Sequence, residues 1–466
     1  MKKVGEIVWY HKIDFLTLIL IILPLFLPFQ PALNPSADID LASGRLIILG
    51  LTVWGGWLVL VQNKKWFSPA TPTFLLLFFL FWCFSSGFMA DDLGRFLRKI
   101  MVFFSIFPLY FLLTTFLSKD FYWKKSFSIW SWTAFFVSLV GLSQFCFQFI
   151  FSREIFFRVW GKFVAPILFG SNAGEAIASN PSWLVATGSG DLLRAISVFP
   201  DPHMLAFYLE MSLPLQVVWA LQKSQKFYWL LPASSLLTLL LTFSRGSYVG
   251  LFGMVAWLVY FLKQKGQLEF LFSKTSGNKT RPYRIFYLLI GIGLITWSIF
   301  SVTPVRDRFL SILDTGEGSN KGRLEIWQEA ISVVAYNPLL GVGLGNYSNF
   351  VRPESKYREP IYAHNTYLDL ASEIGLPGLL AWLGFLIWGF KPLFSHFHKK
   401  NNLILTDQEG KDSLLFNYNL ASALGLWGFA LHCLFETPIF SPQILPLFIY
   451  LLAFRSYFQK KRGSIR

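Results

Sequence analysis

Two places in this 466-residue chain put groups capable of chemistry where apolar sequence surrounds them. At Ser244-Arg245-Gly246 an arginine separates two apolar runs, 229–243 and 248–262. A guanidinium in such a setting is costly unless it is paired or faces water. It is also the group best shaped to grip phosphate oxygens in a bidentate manner. The plain structural alternative is an arginine snorkelling from a tight turn that Gly246 permits. The second place is Tyr362-Ala363-His364-Asn365, where His364 is the single histidine of the polar segment 304–365. Although a lone histidine is more often structural, one in this position can serve as a base or proton carrier near neutral pH.

Other patterns carry less. Gly341-Val342-Gly343-Leu344-Gly345 resembles a nucleotide-binding fingerprint, but no strand precedes it and no helix-opening pattern follows. Its glycines fit a tight, bent loop instead. His432 with Glu436, and Asp201 with His203 around Pro202, each supply too few ligands for a metal. Metal-independent chemistry, with no cofactor, is the expectation. Cys83, Cys146 and Cys433 show no pairing or zinc-ligand spacing.

The elements that must position these residues lie in lipid. The chain is 54% hydrophobic and only 14% charged, which excludes an ordinary water-soluble globule. Apolar runs such as 15–33, 72–89 and 127–151 reach the length of about 18 to 25 residues that a helix needs to cross a bilayer. They lack the alternation of a β-barrel. The first run lacks a small-residue cleavage site and leads directly into further spans, so it reads as retained. The net charge of +15 is scattered in short clusters between spans, which argues against nucleic acid as a partner.

The expected fold class is all-α, a polytopic membrane bundle of about twelve spans starting near residues 14, 45, 70, 99, 127, 203, 227, 246, 285, 366, 413 and 440. Basic clusters at Lys64-Lys65, Lys124-Lys125, Lys223, Lys226, the segment from Lys263 to Arg284, Lys399-Lys400 and Lys460-Lys461-Arg462 all fall on one side. The positive-inside rule makes that side the cytoplasm and puts both termini there. The chain then divides into a scaffold of first spans (1–151), an external loop (152–202), central spans with Arg245 (203–303), a large external loop (304–365) and final spans (366–466). Long loops of this kind are functional or disordered. Within the second, Leu324, Trp327, Ile331 and Val334 recur at helical spacing over 322–336, and Asn337-Pro338 ends the pattern. Its other charges, Arg306, Arg308, Lys321, Arg352, Lys356 and Arg358 against Asp307, Asp314, Glu317, Glu325, Glu329, Glu354 and Glu359, read as a solvated face.

An ordered set of motifs resembles the O-antigen ligase and polymerase superfamily. Its mark is a His-Asn pair, nine residues, then Gly-x-x-Gly; the chain has His364-Asn365, residues 366–374, and Gly375-Leu376-Pro377-Gly378. Phe243-Ser244-Arg245-Gly246-Ser247-Tyr248, Gly322-Arg323-Leu324-Glu325-Ile326-Trp327 and the stretch from Arg194 to Asp201-Pro202 point the same way, together covering about residues 190–390. The resemblance implies a GT-C-like fold and an inverting, metal-independent glycosyltransferase of the bacterial inner membrane. It would move a polysaccharide from undecaprenyl diphosphate to lipid A-core, or to a growing glycan, on the periplasmic face. It further implies His364, Arg245 and Arg323 as catalytic residues, with Arg194, Asn365, Asp201 and Trp327 binding diphosphate or glycan. Fixed arginines would stabilise charge on the leaving diphosphate, and His364 would act as base or orienting donor. Leu379-Leu380 stands where ligases commonly have two threonines, which leaves a polymerase open, and His203 stands where asparagine is frequent. Glu325, Asp201 and Glu373 are candidate helpers. A protein-targeted oligosaccharyltransferase is a further neighbour. A transporter or flippase is the alternative from another class, but no internal repeat is evident and the motif arginines gather near one face.

Overall fold

Seven helices among the described residues are long and apolar enough to cross a membrane: Ser43–Val61, Thr71–Met89, Leu93–Phe116, Asp120–Phe147, Pro202–Leu221, Thr366–Phe394 and Leu414–His432. The computed structural model describes residues 14–36, 39–63, 71–170, 181–187, 190–223, 225–264, 318–354, 362–395 and 410–464, with 303, 306 and 310 singly. The expected span near 285 lies outside the described residues, as do Lys64, Lys65, Lys399, Lys400, Asp307, Arg308, Asp314, Glu317, Lys356, Arg358 and Glu359. Phe15–Phe29 and Lys226–Leu241 are apolar but shorter. Arg245–Gln264 and Leu445–Ser464 start close to two further expected positions. The chain is therefore a polytopic helical membrane protein. The all-α expectation gains two short antiparallel hairpins, Ala32–Ser36 with Ile39–Ala42 and Leu184–Thr187 with Gly190–Leu193.

Three helices form the frame of the site: α1 (Pro202–Leu221), α2 (Arg245–Gln264) and α3, the helix Gly410–His432. Lipid supplies no hydrophobic drive between spans, so small residues and polar contacts must bring them together. A Cβ on Gly425 would come within 3.2 Å of the Met211 backbone, and one on Gly250 within 2.9 Å of the Gly428 carbonyl oxygen. Hydrogen bonds extend the frame to the long helix Asp120–Phe147: Trp130 Nε1 donates to Ser212 Oγ at 2.8 Å, and Gln216 Nε2 to the Ser131 carbonyl at 3.0 Å. Ser126 Oγ and the Tyr450 hydroxyl join the same helix to Leu445–Ser464. On the outside, Phe74, Phe81 and Phe84 stay exposed, as residues facing lipid tails do.

The helix Gly318–Tyr336, α4, ends where Asn337-Pro338 predicts. Its buried face differs from the expected stripe. Ala330 and Val333 are buried, with Ile326 and Trp327 packed against them, whereas Leu324 and Ile331 are 42% and 57% exposed. Arg323 sets this rotation: turning it toward the bundle carries positions 326, 327, 330 and 333 inward with it.

The helix Thr366–Ser395, α5, breaks at Gly375, whose φ of 72° belongs to the left-handed region. Here the Gly-x-x-Gly motif has a mechanical role. The Asn337–Leu340 turn seats on the break: Leu376 N donates to the Pro338 carbonyl at 2.8 Å, and Val342 N to the Ser372 carbonyl at 2.9 Å. A Cβ on Gly375 would lie 2.0 Å from the Leu339 carbonyl oxygen. Gly375→Ala therefore combines backbone strain with a backbone clash and is expected to cost at least about 1–3 kcal/mol. Thermal unfolding of the detergent-purified protein checks this; an unchanged Tm would refute it.

Candidate active site

The end of the bundle holding the N-termini of α1, α2 and α5 collects His364, Asn365, Arg323, Trp327, Arg245, Arg194 and Asp201. Asn365 explains the His-Asn pair. Its Oδ1 accepts from Tyr367 N at 3.0 Å and Leu368 N at 3.2 Å, capping α5. His364, immediately before the cap, has a φ of 49°, uncommon for a residue with a side chain. Such strain persists only where surrounding contacts over-determine it, and here they do. Ala363 N donates to Asp369 Oδ1 at 2.8 Å, the Ala363 carbonyl accepts from Trp327 Nε1 at 2.9 Å, and Asp369 Oδ2 accepts from the Thr437 hydroxyl. Thr366 ties the same loop to the end of α3, donating from N to the Cys433 carbonyl at 2.9 Å and from Oγ1 to the Glu436 carbonyl at 2.7 Å.

Glu436 is the hub. His364 Nδ1 lies 3.0 Å from its Oε2, and Arg323 Nη2 donates to its Oε1 at 2.8 Å. His203 Nε2 stands 3.6 Å from Oε1, just beyond hydrogen-bond length. Burial alone would raise the Glu436 carboxyl, but His203, His364 and Arg323 together hold it well below the usual carboxylate range. The charge of Glu436 in turn pushes the His364 imidazole above its ordinary value, against the opposing effect of burial. The His364 side chain remains 45% exposed while that of Glu436 is 11% exposed, so the imidazole is the more accessible of the two.

Arg245 opens α2 and is buried, at 4% exposure. Ser244, just before it, links two histidines: its Oγ lies 2.8 Å from His203 Nδ1 and 3.1 Å from His432 Nε2. Arg194 braces the junction from below, donating from Nε to the Thr242 carbonyl at 2.6 Å and from Nη1 to the Ser182 carbonyl at 2.9 Å. Asp201 caps α1, its Oδ1 accepting from His203 N at 2.8 Å and Met204 N at 3.0 Å. Burial pushes the Asp201 carboxyl up to about 6 despite those donors.

The structure thus brings Arg323 and His364 onto one carboxylate, sets Arg245 beside the Ser244 link, and gives Asn365, Asp201, Trp327 and Arg194 bonds that hold the surrounding backbone. The carboxylate at His364 is Glu436; Glu325 is exposed, and Glu373 is buried one turn along α5 from Asp369, near Lys99. Sequence reading weighed Glu436 only as a metal partner of His432. The signal that could have found it was a carboxylate just past the outer end of a span, on the same side as His364.

A family model described as O-antigen ligase matches residues 230–383. The match takes in Arg245, Arg323, Trp327, His364 and Asn365 and stops short of Glu436. No curated protein matches the chain. Residues 230–383, whose motifs come together at this one end of the bundle, are thus similar to the O-antigen ligase family.

Proposed function

We propose that this protein is a metal-independent, inverting glycosyltransferase that moves a polysaccharide from undecaprenyl diphosphate to lipid A-core on the periplasmic face of the bacterial inner membrane. The observation that carries the reading is the half-exposed His364 imidazole, whose Nδ1 is occupied by Glu436 while Arg323 reaches the same carboxylate. Nε2 is then the nitrogen that meets the acceptor. It takes the acceptor hydroxyl's proton, the oxygen bonds to the anomeric carbon, and the bond from that carbon to the phosphate oxygen breaks. The electron pair leaves on the diphosphate, where Arg245 and Arg323 offset the growing charge. Glu436 offsets the imidazolium formed on His364.

In this reading residues 1–151 provide scaffold and a lipid-facing groove, 152–202 and 304–365 are the external loops, and 203–303 and 366–466 supply the spans that carry the site. The full set of about twelve spans, in a GT-C-like arrangement with both termini cytoplasmic, follows from the same reading. Arg194, Asp201, Asn365 and Trp327 would line the donor and glycan path, directly or through the backbone they hold.

Leu379-Leu380 supports a second reading within the family, a polymerase that lengthens the glycan on its carrier. One experiment separates the two. A deletion strain is expected to accumulate unligated glycan on the lipid carrier, and purified protein is expected to transfer labelled glycan to core lipid with chelator present. Single repeat units on the core in the deletion strain would identify a polymerase. Full-length modified lipopolysaccharide in a clean deletion would sink both.

A further inference from the structure

Behind Glu436 a line of buried polar groups runs into the membrane interior, and the transfer chemistry above gives it no task. From His203 it passes to Ser244 Oγ, then to His432 Nε2; the other nitrogen of that ring, Nδ1, lies 3.0 Å from Glu210 Oε2. Ser244, His432 and Glu210 are all 0% exposed. The neighbouring backbone makes room for them. A Cβ on Gly246 would fall 2.2 Å from His432 Cδ2, and one on Gly250 2.4 Å from Glu210 Oε1. Phe207 stacks on the His432 ring with centroids 3.7 Å apart and planes 12° apart, which fixes the ring's orientation.

The proton order of such a line follows from donor counting. A serine hydroxyl has one proton to give, so of the two histidine nitrogens facing Ser244, one receives it and the other donates to the oxygen. Two orders satisfy the line with neutral rings. In the first, Glu210 is a carboxylic acid donating to His432 Nδ1, His432 donates from Nε2 to Ser244, Ser244 donates to His203 Nδ1, and His203 turns an Nε2–H toward Glu436. In the second every donor is reversed, Glu210 is a bare carboxylate, and His203 turns a lone pair toward the Glu436 carboxylate. Glu210 Oε1 has no hydrogen-bond partner among the described residues. An ionised carboxylate so placed within a span is expensive, and a lone pair facing Glu436 is repulsive. Both costs select the first order.

We infer that Glu210, His432, Ser244 and His203 are positioning residues, a proton-ordered line that fixes one tautomer in each histidine so that His203 always presents an N–H to Glu436. The line keeps Glu436 oriented toward His364 when Arg323 is also drawn to the leaving diphosphate. The 3.6 Å gap from His203 Nε2 to Glu436 closes with a small turn of the imidazole. The line orders protons and does not carry them: no proton crosses it during turnover.

The kinetic arm of the test rests on the proposed transfer reaction; the spectroscopic arm does not. In full-length protein labelled with 15N-histidine and reconstituted in lipid, single-histidine variants assign the nitrogens. His203 and His432 are expected to carry their protons on Nε2, and Ser244→Ala is expected to destroy the uniform His203 pattern. A His203 protonated on Nδ1 overturns the inference, whether or not the protein transfers glycan. In the transfer assay, Ser244→Ala and Glu210→Leu are expected to lower kcat about ten-fold, the usual scale for residues that orient a reacting group. The donor KM should stay within about two-fold, because the arginines that hold the diphosphate are intact. Glu210→Gln, whose amide can donate to His432 Nδ1, restores most of the rate. If Glu210→Gln fails as badly as Glu210→Leu, the line carries protons and the inference falls. It falls equally if the donor KM rises while kcat is kept. Wild-type protein without transfer activity would refute the proposed reaction and leave the nitrogen spectrum to decide the proton order.

Discussion

Replacing His364 by alanine is expected to lower the turnover of glycan transfer by about two to four orders of magnitude, the range seen for loss of a positioned general base. The adjacent carboxylate, Glu436, is largely buried and already bonded to Arg323, so it does not reach an acceptor hydroxyl. Folding must be separated from chemistry, because His364 sits at a φ of 49° and alanine tolerates that backbone less well than asparagine does. His364→Asn is the matched control. It suits the left-handed backbone and offers an amide toward Glu436, yet it has no nitrogen able to accept a proton. Both variants are expected to reach normal membrane levels and to bind the lipid-linked donor, and both should be inactive. An asparagine variant retaining more than about a tenth of wild-type turnover would move His364 from base to orienting donor.

The second large effect is at Glu436, where removal of one carboxylate leaves Arg323, His203 and His364 facing one another. Breaking a mostly buried pair by deleting one partner typically costs about 3–5 kcal/mol. Glu436→Ala is therefore expected to lower the Tm clearly as well as the rate. Glu436→Gln keeps the shape and removes the charge, and its signature is a pH shift. A general base must be unprotonated to act, and the Glu436 charge holds the His364 imidazole above its ordinary value. Wild-type kcat/KM should thus climb with pH through a midpoint above about 6.5, the unperturbed histidine value. In Glu436→Gln the climb should move to lower pH, with a smaller plateau because the imidazolium loses its counter-charge. An acid limb that stays where it was would mean that some other group titrates.

The sequence made the membrane frame and the reacting side chains legible, and made the hub that joins them hard to see. Apolar run length identifies spans because lipid demands it. Arg245 stood out because a charge between apolar runs is expensive, and His364 because its surroundings held no second histidine. Glu436 had no such contrast: it is 72 residues from His364 and 113 from Arg323, and only the packing of α3 against α5 reveals the partnership. The face of α4 was misread for a related reason. Leu324 and Ile331 are the larger apolar residues, but the ion pair of Arg323 decides which side turns inward. The family resemblance implies Asn365 and Asp201 as ligands of substrate, and the structure adds that their oxygens cap helices. Capping and recognition use the same side-chain chemistry, so sequence alone does not separate them.

The ties between the loop at His364 and the turn at Glu436 also bear on how the protein comes into being. Of the bonds that fix the histidine's strained backbone or supply its counter-charge, those of Cys433, Glu436 and Thr437 come from the turn that follows α3. A nascent chain that has inserted only as far as α5 already holds both motif arginines and the histidine, yet lacks the carboxylate to which Arg323 and His364 are bonded. Insertion of α3 and the turn after it brings the missing carboxylate. Under the proposed reaction, a chain halted before α3 is then expected to be inert toward a lipid-linked sugar.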